Sequence, residues 1–270
     1  MSNSNKIRIP ESLRRTKNLI GIFSAKGGVG KSFVASNIAL YLSQQGYKVG
    51  LVDGDIYGPS LPKILNTSGE ELKVSNQEIM EPLNTNGIKF MSMGLINSEK
   101  TPVIWRGPMV SGAMMQLLSQ TNWGALDFSI IDTPPGTGDV QLTLLQKIPL
   151  TAALIVTTPH EVAITDCKKG IEMVNKLKVP ILGLVENMSW FQPESKKKYY
   201  IFGKNGSKEL IDNYGIKLLG QIPLVEAASS NELIDGQFFN DIFQDIVGKV
   251  LIEVERLKKD NNSVIPYINQ

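Results

Sequence analysis

The chain of 270 residues is 42% hydrophobic, which suffices for one substantial core and is ordinary for a single large α/β domain. Its 28 basic and 26 acidic side chains leave a formal net charge of +2, so charge gives no reason to expect nucleic acid or a membrane as partner. One cysteine, Cys167, excludes a disulfide framework and a four-cysteine metal site within one chain. Because the start is polar and no apolar run reaches about eighteen residues, we expect a cytoplasmic protein.

Short β-branched runs alternate with longer helical patterns, which is typical of a doubly wound, mostly parallel α/β sheet with helices on both faces. We predict strands at 19–24, 48–52, 88–93, 128–131, 152–157, 181–186 and 218–222. We predict helices at 33–45, 109–120, 140–147, 162–177, 207–214 and 239–258. A flexible arm at 1–16 and a polar tail at 260–270 flank one predicted domain at 17–259.

A glycine-rich segment, Lys26-Gly-Gly-Val-Gly-Lys31-Ser32, follows the first predicted strand and precedes the first predicted helix. Its three glycines carry no obstructing side chain, so successive backbone N–H groups can converge on an anion. The helix N-terminus would add its dipole, Lys31 would reach the β- and γ-phosphates, and the Ser32 hydroxyl would bind magnesium. The predicted nucleotide-binding residues here are Ala25, Lys26, Gly27, Gly28, Val29, Gly30, Lys31 and Ser32.

Two other interpretations of this segment remain open. The usual phosphate-loop pattern has glycine at the position of Ala25, so a glycine-rich turn without a ligand is one alternative. A dinucleotide site is the other. Gly28, Gly30 and the later acid Asp53 have its spacing, although Phe33 stands where its third glycine is expected. The predicted strand and helix on either side favour the phosphate loop.

Carboxylates follow two of the predicted strands. Asp53 and Asp55 come at the end of the second strand, and Asp132 ends the apolar strand at 128–131. Because parallel strands present their carboxyl ends at one edge of the sheet, all three should lie beside the phosphate loop. We expect Asp132 to bind magnesium or its water and Asp55 to position the attacking water. Asp53 would either hold the metal's water shell or hydrogen-bond the loop.

The stretch after Asp132 has two prolines and two glycines between positions 134 and 138. This composition prevents regular structure and favours a loop that responds to the γ-phosphate. Asp139, which follows, is predicted to cap the next helix.

Lys26 is a second cation in a loop that needs only Lys31 to meet the phosphates. It could stabilise charge in the transition state, as an arginine finger does, on its own nucleotide or across a dimer. The alternative is a solvent-exposed surface lysine. The predicted catalytic residues are therefore Lys26, Lys31 and Asp55.

The segment from Lys26 to Ser32 resembles the deviant phosphate loop of the MinD/ParA-type ATPases, whose extra lysine reaches the nucleotide of the partner subunit. Four further blocks make the chain similar to the Mrp/ApbC-type iron-sulfur cluster carrier ATPases. They are Asp53-Gly-Asp-Ile-Tyr-Gly-Pro-Ser60, Trp105-Arg-Gly-Pro-Met109, Asp132-Thr-Pro-Pro-Gly-Thr-Gly-Asp139 and Val185-Glu-Asn-Met-Ser189. The blocks, which run from Lys26 to Ser189, span nearly the whole core, and the resemblance identifies 17–259 as a P-loop ATPase domain.

The resemblance implies a homodimer that hydrolyses ATP with magnesium and serves iron-sulfur apoproteins or assembly factors. Lys26 would then act on the partner's nucleotide, and Asp55 would position water. Asn187, helped by the turn at Pro223, would contact adenine. Ser32 and Asp132 would serve magnesium, and together with Asp53, whose role stays open as above, they are the predicted metal-site residues. A [4Fe-4S] cluster bridging the dimer is a further expectation of the family.

The chain departs from the family where that cluster would bind. The family commonly carries Cys-x-x-Cys shortly after the Asn-Met-Ser block, and this chain has Gln192 and Ser195 there. Neither side chain is a usual iron-sulfur ligand, so cluster binding in the family manner is not expected. Cys167 falls in the predicted helix at 162–177, where a buried, unreactive thiol is expected. The residues before the phosphate loop are also too few to form the small extra domain of many relatives.

Two other functions remain open. A positioning ATPase of the MinD/ParA kind would switch on a membrane or DNA surface. The amphipathic stretch at 239–258, with Ile242, Ile246, Val250 and Val254 in register, would then be its membrane helix unless it packs on the sheet. A nucleotide-switched adaptor would order its loops with ATP and hardly hydrolyse it.

His160, the only histidine, is predicted to be a loop or cap residue. The run Lys196-Lys197-Lys198 is predicted to be a solvated loop, with docking of an acidic partner as the alternative.

Overall fold

A sheet of eight strands forms the centre of the computed structural model, which describes residues 11–55, 58, 60–70, 72–74, 79–96, 107–193, 197–225 and 237–260. The strands are β1 (Thr16–Phe23), β2 (Val49–Asp53), β3 (Leu83–Thr85), β4 (Ile88–Ser92), β5 (Leu126–Asp132), β6 (Ala152–Thr157), β7 (Ile181–Glu186) and β8 (Leu218–Gln221). Their order across the sheet is β3-β4-β2-β5-β1-β6-β7-β8. Every neighbouring pair is parallel except β3 and β4. Arg106, Ser195, Lys196 and most of the predicted arm and tail lie outside the described residues.

Helices cover both faces of this sheet. They are α1 (Lys31–Gln44), α2 (Leu61–Ile64), α3 (Met93–Ile96), α4 (Gly107–Ser119), α5 (Asp139–Lys147), α6 (Glu161–Lys176), α7 (Lys208–Tyr214) and α8 (Gln237–Asp260), after a 3-10 turn at Glu11–Leu13. On one face, Ile38 of α1 and Phe243 of α8 are buried in a single core. On the other, Met114 of α4 and Ile171 of α6 are buried. The prediction of a doubly wound, mostly parallel sheet is therefore confirmed.

The central strands are apolar along their length because both of their faces are covered. Every residue of β2 and of β6 is buried, as expected for parallel strands between two helix layers. In α8, the stripe predicted from the sequence is buried at Ile246, Val250 and Val254. This helix therefore packs on the sheet. None of the helices in the described part of the chain has the length and apolar character that crossing a membrane requires.

The seven predicted strands and six predicted helices all occur, and their ends differ from the predictions by three residues or fewer. The predictions lack β3 and the single-turn helices α2 and α3, which are too short to show a period. A tight turn at Asn86 and Gly87, with φ values of 48° and 78°, joins β3 to β4. The first helix begins at Lys31 rather than at 33, because the carbonyl of Gly30 already accepts the Val34 N–H at 3.0 Å.

Candidate functional site

The phosphate loop lies at the carboxyl edge of the sheet, between the end of β1 and the start of α1. Acidic residues end three other strands at this edge: Asp53 on β2, Asp132 on β5 and Glu186 on β7. The chain passes from β5 to β6 across β1, so the strand order reverses at the loop. Open α/β sheets bind ligands at such a switch point.

The loop exposes part of its backbone to solvent. Lys26, Gly27 and Gly28 are exposed, whereas Lys31 is buried. Gly28 and Gly30 have φ values of 79° and 83°, which residues with a side chain rarely adopt. The start of α1 at Lys31 adds unpaired N–H groups and the positive end of a helix dipole. This segment therefore has the backbone form of an anion-binding site.

Ala25 is accommodated because the facing helix has a glycine at the point of contact. A Cβ atom placed on Gly170 of α6 would lie 3.3 Å from the Cβ atom of Ala25, closer than ordinary van der Waals contact. The methyl group that replaces the usual glycine of the loop thus occupies space that α6 leaves open.

Asn187 holds the loop from the end of β7. Its Nδ2 atom donates a hydrogen bond of 2.9 Å to the carbonyl oxygen of Val29, and its side chain is buried. A Cβ atom on Gly30 would lie 2.1 Å from that nitrogen. The close approach of Asn187 to the loop therefore requires glycine at position 30.

The two residues predicted to contact adenine lie on neighbouring segments. The N–H of Ser189, two residues after Asn187, donates to the carbonyl of Ile222 at 2.9 Å. This hydrogen bond holds the turn at Pro223 beside the segment of Asn187. Their contact with adenine stays a prediction. The hydrogen bond from Asn187 to the carbonyl of Val29 was not predicted from the sequence.

We expect Gly30→Ala to weaken ATP binding about tenfold more than Gly28→Ala does, because it also disrupts a buried hydrogen bond worth about 1–1.5 kcal/mol. Both substitutions place a side chain in a left-handed backbone, but a Cβ atom on Gly28 meets nothing within 4 Å. Gly28→Ala is therefore the matched control. Titration with a fluorescent ATP analogue measures both affinities. Equal losses would mean that Asn187 does not support the loop.

A buried ion pair joins the phosphate loop to the end of β5. The Lys31 ammonium contacts Oδ1 of Asp132, and the two side chains are 5% and 0% exposed. Ser32 Oγ donates to Oδ2 of Asp132 at 2.5 Å, across 100 positions of sequence. Burial raises the pKa of Asp132 above its ordinary value, and Lys31 and then Ser32 oppose that rise. The structure thus brings together three of the residues predicted to bind phosphate and metal.

Asp53 lies beside Asp132, since the two are register partners on β2 and β5. It is buried and accepts hydrogen bonds from Ser92 Oγ at 2.9 Å and from the backbone N–H of Asp55 at 3.1 Å. Burial, and then the charge of Asp132, raises the pKa of Asp53 from 3.8 to about 8. Through the hydrogen bond from the Asp55 N–H, Asp53 holds the segment that carries Asp55. The Asp55 side chain is half-buried at the same edge of the sheet. A role of Asp53 in the metal's water shell stays a prediction.

Asp53→Asn is expected to remove a pH dependence of folding stability. The folded protein keeps the Asp53 proton up to about pH 8, and the unfolded chain releases it near its ordinary pKa of 3.8. Between these values the unfolded chain binds fewer protons, so this residue lowers stability by about 1.4 kcal/mol for each unit of rising pH. Above about pH 8 the folded and the unfolded chain have both released this proton, so the contribution of Asp53 to stability no longer changes with pH.

Urea unfolding of wild type and Asp53→Asn, in metal-free buffer at several pH values in that window, measures the effect. The stability of wild type relative to the variant should fall as the pH rises. A difference that does not change with pH would show that Asp53 ionises normally.

The loop after Asp132 is tied to the strand that leads into the phosphate loop. Thr133 Oγ1 donates to the carbonyl of Ile22 at 2.8 Å, and the N–H of Gly136 donates to the carbonyl of Ser24 at 2.9 Å. A displacement of either loop is therefore transmitted to the other. These hydrogen bonds agree with the prediction of a loop that responds to the γ-phosphate, which itself stays untested.

Two assignments in this loop needed the structure. Asp139 does not cap α5, so that prediction was wrong. Gly138, with extended backbone angles, occupies the capping position, and Asp139 is the first helical residue. Gln141 was missed, although it is a buried polar residue whose side-chain amide donates to the carbonyl of Pro134. Its signal in the sequence was a polar side chain within the first turn of an otherwise amphipathic helix.

Lys26 differs from Lys31 in its surroundings. Lys31 is buried against Asp132, whereas Lys26 is exposed on the outer side of the loop. This position leaves the Lys26 ammonium able to reach a group outside its own loop.

His160 and Cys167 have the surroundings that the sequence predicted. His160 precedes α6 and its Nδ1 accepts the Val162 N–H at 3.2 Å, so it is a cap residue. Cys167 is 2% exposed, and burial raises the pKa of its thiol to about 12. Among the residues that the structure describes, no three His, Cys, Asp or Glu side chains are grouped to hold a metal ion.

Sequence comparison gives a consistent set of relatives. A family model described as ParA: NUBPL iron-transfer P-loop NTPase matches residues 15–247. The iron-sulfur cluster carrier protein of Aquifex aeolicus is 50% identical over 210 residues, which are 77% of this chain and 58% of that protein. The iron-sulfur cluster transfer protein NUBPL of Dictyostelium discoideum is 44% identical over 91% of this chain and 80% of that protein. The match covers 58% of the Aquifex protein and 62% of a Synechocystis carrier, so this chain spans under two thirds of these relatives.

Solved structures share the fold. A nucleotide-binding protein of Archaeoglobus fulgidus in complex with ADP is 32% identical, with a TM-score of 0.70 over 90% of each chain. The cell division ATPase MinD of Pyrococcus furiosus has a TM-score of 0.62 over 89% of this chain and 99% of that chain. At 22% identity, the second similarity concerns the fold alone.

Proposed function

Because the chain belongs to the NUBPL iron-transfer family of P-loop NTPases, we propose that it hydrolyses ATP with magnesium and uses that reaction in iron-sulfur cluster assembly or transfer. The observation that carries this proposal is the buried contact of Lys31 and Ser32 with Asp132. A cation, a hydroxyl and a carboxylate at a helix N-terminus suit a phosphate with its magnesium ion. The proposal includes a cytoplasmic homodimer whose partners are iron-sulfur apoproteins or assembly factors.

The chain's own groups would bind and neutralise the phosphates. The N–H groups of the loop and of the first turn of α1 would surround them. The Lys31 ammonium would move from Asp132 and contact the β- and γ-phosphates instead. Ser32 and Asp132 offer the hard oxygen ligands that magnesium prefers, so this pair fits the ion. Bound there, magnesium would neutralise charge on the phosphate oxygens.

Hydrolysis further needs an oriented water and added positive charge. Asp55, whose backbone is held by Asp53, would orient the water. Lys26, exposed on the loop, would reach the nucleotide of the second subunit. Phosphoryl transfer depends on positioning and electrostatics more than on a strong base, so a well-placed carboxylate suits the first of these roles.

The iron-sulfur cluster is cargo in this proposal, and the chain's single thiol is unsuited to hold it. Cys167 is buried in α6, and its raised pKa disfavours the thiolate that binds iron. No cysteine follows the Asn-Met-Ser block, where the family resemblance leads us to expect Cys-x-x-Cys. We therefore propose that ATP hydrolysis drives a step in which a partner protein's ligands hold the cluster.

Anaerobic reconstitution with iron, sulfide, ATP and magnesium tests both parts of the proposal. We expect steady ATP hydrolysis by the wild type and at least about a hundredfold slower hydrolysis by Asp55→Asn, since the water loses its orienting group. Wild type and Cys167→Ser should match in ATPase rate, and neither should retain a stoichiometric cluster.

Two results would contradict this expectation. A stoichiometric cluster that Cys167→Ser loses would place the cluster on this chain. ATP that binds and is not hydrolysed would make the protein a nucleotide-switched adaptor.

A further inference from the structure

A hairpin beyond β7 presents aromatic side chains and lysines to solvent. We name residues 190–193 and 197–204 the aromatic–lysine hairpin. Phe191 and Tyr199 pair antiparallel through backbone hydrogen bonds of 2.7 and 2.9 Å. Large apolar surface is exposed at Tyr199 (45%), Tyr200 (40%) and Ile201 (61%). Exposed aromatic and aliphatic side chains in one short segment are a feature of interaction surfaces.

Hydrogen bonds to segments near the ends of β7 and β8 hold the start of the hairpin and the residues that follow it. Leu224 donates its N–H to the carbonyl of Trp190 at 2.7 Å and accepts the N–H of Gln192 at 3.2 Å. After the hairpin, the N–H of Ser207 donates to the buried carboxylate of Glu186 at 2.8 Å. Because these contacts hold residues 190–192 and 207, a partner would bind described residues that are already in place, which lowers the entropic cost of binding.

Three lysine ammonium groups of the hairpin lie over its aromatic rings. The distances from Nζ to the ring centroid are 3.8 Å for Lys198 on Trp190, 5.3 Å for Lys197 on Tyr199 and 5.2 Å for Lys204 on Tyr200. All are within the range of about 6 Å for cation–π attraction.

These lysines differ from Lys168 and Lys208 in their partners. Lys168 and Lys208 pair with Glu209 and Asp212, at 2.5 and 2.6 Å. Within the described ranges, the three lysines of the hairpin have aromatic partners and no carboxylate partner. The hairpin thus presents three positive charges that acidic groups of a partner could neutralise.

We propose that the aromatic–lysine hairpin is a docking surface for an acidic, partly apolar segment of another polypeptide. Carboxylates of that segment pair with the three ammonium groups, and its apolar side chains cover Tyr200 and Ile201. Single-stranded nucleic acid fits less well, because bases stack on open ring faces and lysines cover one face of three rings here. The net charge of +2 also provides no wider basic field. This inference does not depend on ATP hydrolysis, and it requires that the hairpin stay accessible in the proposed homodimer.

The test measures binding of a fluorescent peptide of alternating glutamate and leucine to the full chain. At low ionic strength it should bind at least about tenfold more tightly than the same peptide with glutamine, and added salt should reduce the difference. Lys197→Glu/Lys198→Glu should lose at least about tenfold in affinity. The control Lys147→Glu/Lys176→Glu makes the same charge change at exposed lysines in the last turns of α5 and α6, and should bind like wild type.

A second variant, Lys197→Gln/Lys198→Gln, removes charge without repulsion and should lose less affinity than the reversal. Unchanged thermal unfolding and ATPase rates would show that the variants keep their fold. Absent binding, equal affinity for the two peptides, or equal weakening by the control would overturn the proposal. Tighter binding of a thymidine oligonucleotide or of phosphatidylserine vesicles, abolished by the same variants, would overturn it in favour of nucleic acid or a membrane.

Discussion

Lys26→Ala is expected to slow ATP hydrolysis about a thousandfold or more while ATP affinity changes only about two- to threefold. Lys31 and the loop N–H groups bind the phosphates in our proposal, and Lys26 is exposed beside them. Its charge would therefore act mainly on the transition state, where an added cation has its largest effect. Single-turnover hydrolysis and calorimetric ATP titration measure the two quantities separately.

Mixing two inactive variants shows on which nucleotide Lys26 acts. Asp55→Asn keeps Lys26, and Lys26→Ala keeps Asp55, so a mixed dimer has one complete site if Lys26 acts across the interface. Equal amounts should then restore about a quarter of wild-type activity, since half of the dimers are mixed and each has one working site of two. No recovery would assign Lys26 to its own nucleotide. An active Lys26→Ala variant would make Lys26 an ordinary surface lysine.

Lys31→Met is expected to destabilise the protein by about 3–5 kcal/mol near neutral pH, because it leaves the carboxylate of Asp132 buried without its cation. Ser32 alone cannot compensate that charge, and the neighbouring Asp53 contributes no positive charge. Adding Asp132→Asn to Lys31→Met should recover part of the loss, since the double variant buries no lone charge. Urea unfolding of wild type, Lys31→Met, Asp132→Asn and the double variant in metal-free buffer measures the coupling.

The exposed pair of Lys168 and Glu209 provides the matched control. Its two side chains are 33% and 53% exposed and lie 2.5 Å apart. Lys168→Met should therefore cost much less stability than Lys31→Met, because solvent screens the exposed pair. If Lys31→Met costs no more than this control, Asp132 takes up a proton when Lys31 is removed, and the charge of the pair contributes little to stability.

The sequence was sufficient for the fold and for the centre of the site because both follow from strand order. Parallel strands end at one edge, so Lys31, Ser32 and Asp132 were expected to meet despite their separation in the chain, and they do. β3 was missed because three residues show no alternation, even though Asn86-Gly87 is a strong hairpin signal.

Other contacts depend on register and side-chain direction, which periodicity does not reveal. The hydrogen bond from Asn187 to Val29 joins segments 158 positions apart and needs the absence of a side chain at Gly30. The amide of Gln141 on the carbonyl of Pro134 likewise requires the exact path of the loop after β5. Such contacts depend on three-dimensional packing, so the loops could be located from the sequence and the residues that hold them could not.

The contact between Ala25 and Gly170 has an evolutionary consequence. The methyl group of Ala25 and a side chain on Gly170 would compete for one small volume, since the two Cβ atoms would be 3.3 Å apart. Homologues with glycine at position 25 should therefore tolerate alanine at position 170, where it also improves helix propensity by about 1 kcal/mol. Homologues that keep alanine at 25 should retain glycine at 170. Ala25 in the loop and Gly170 in α6, which are far apart in the sequence, would then have been inherited together as one covarying pair.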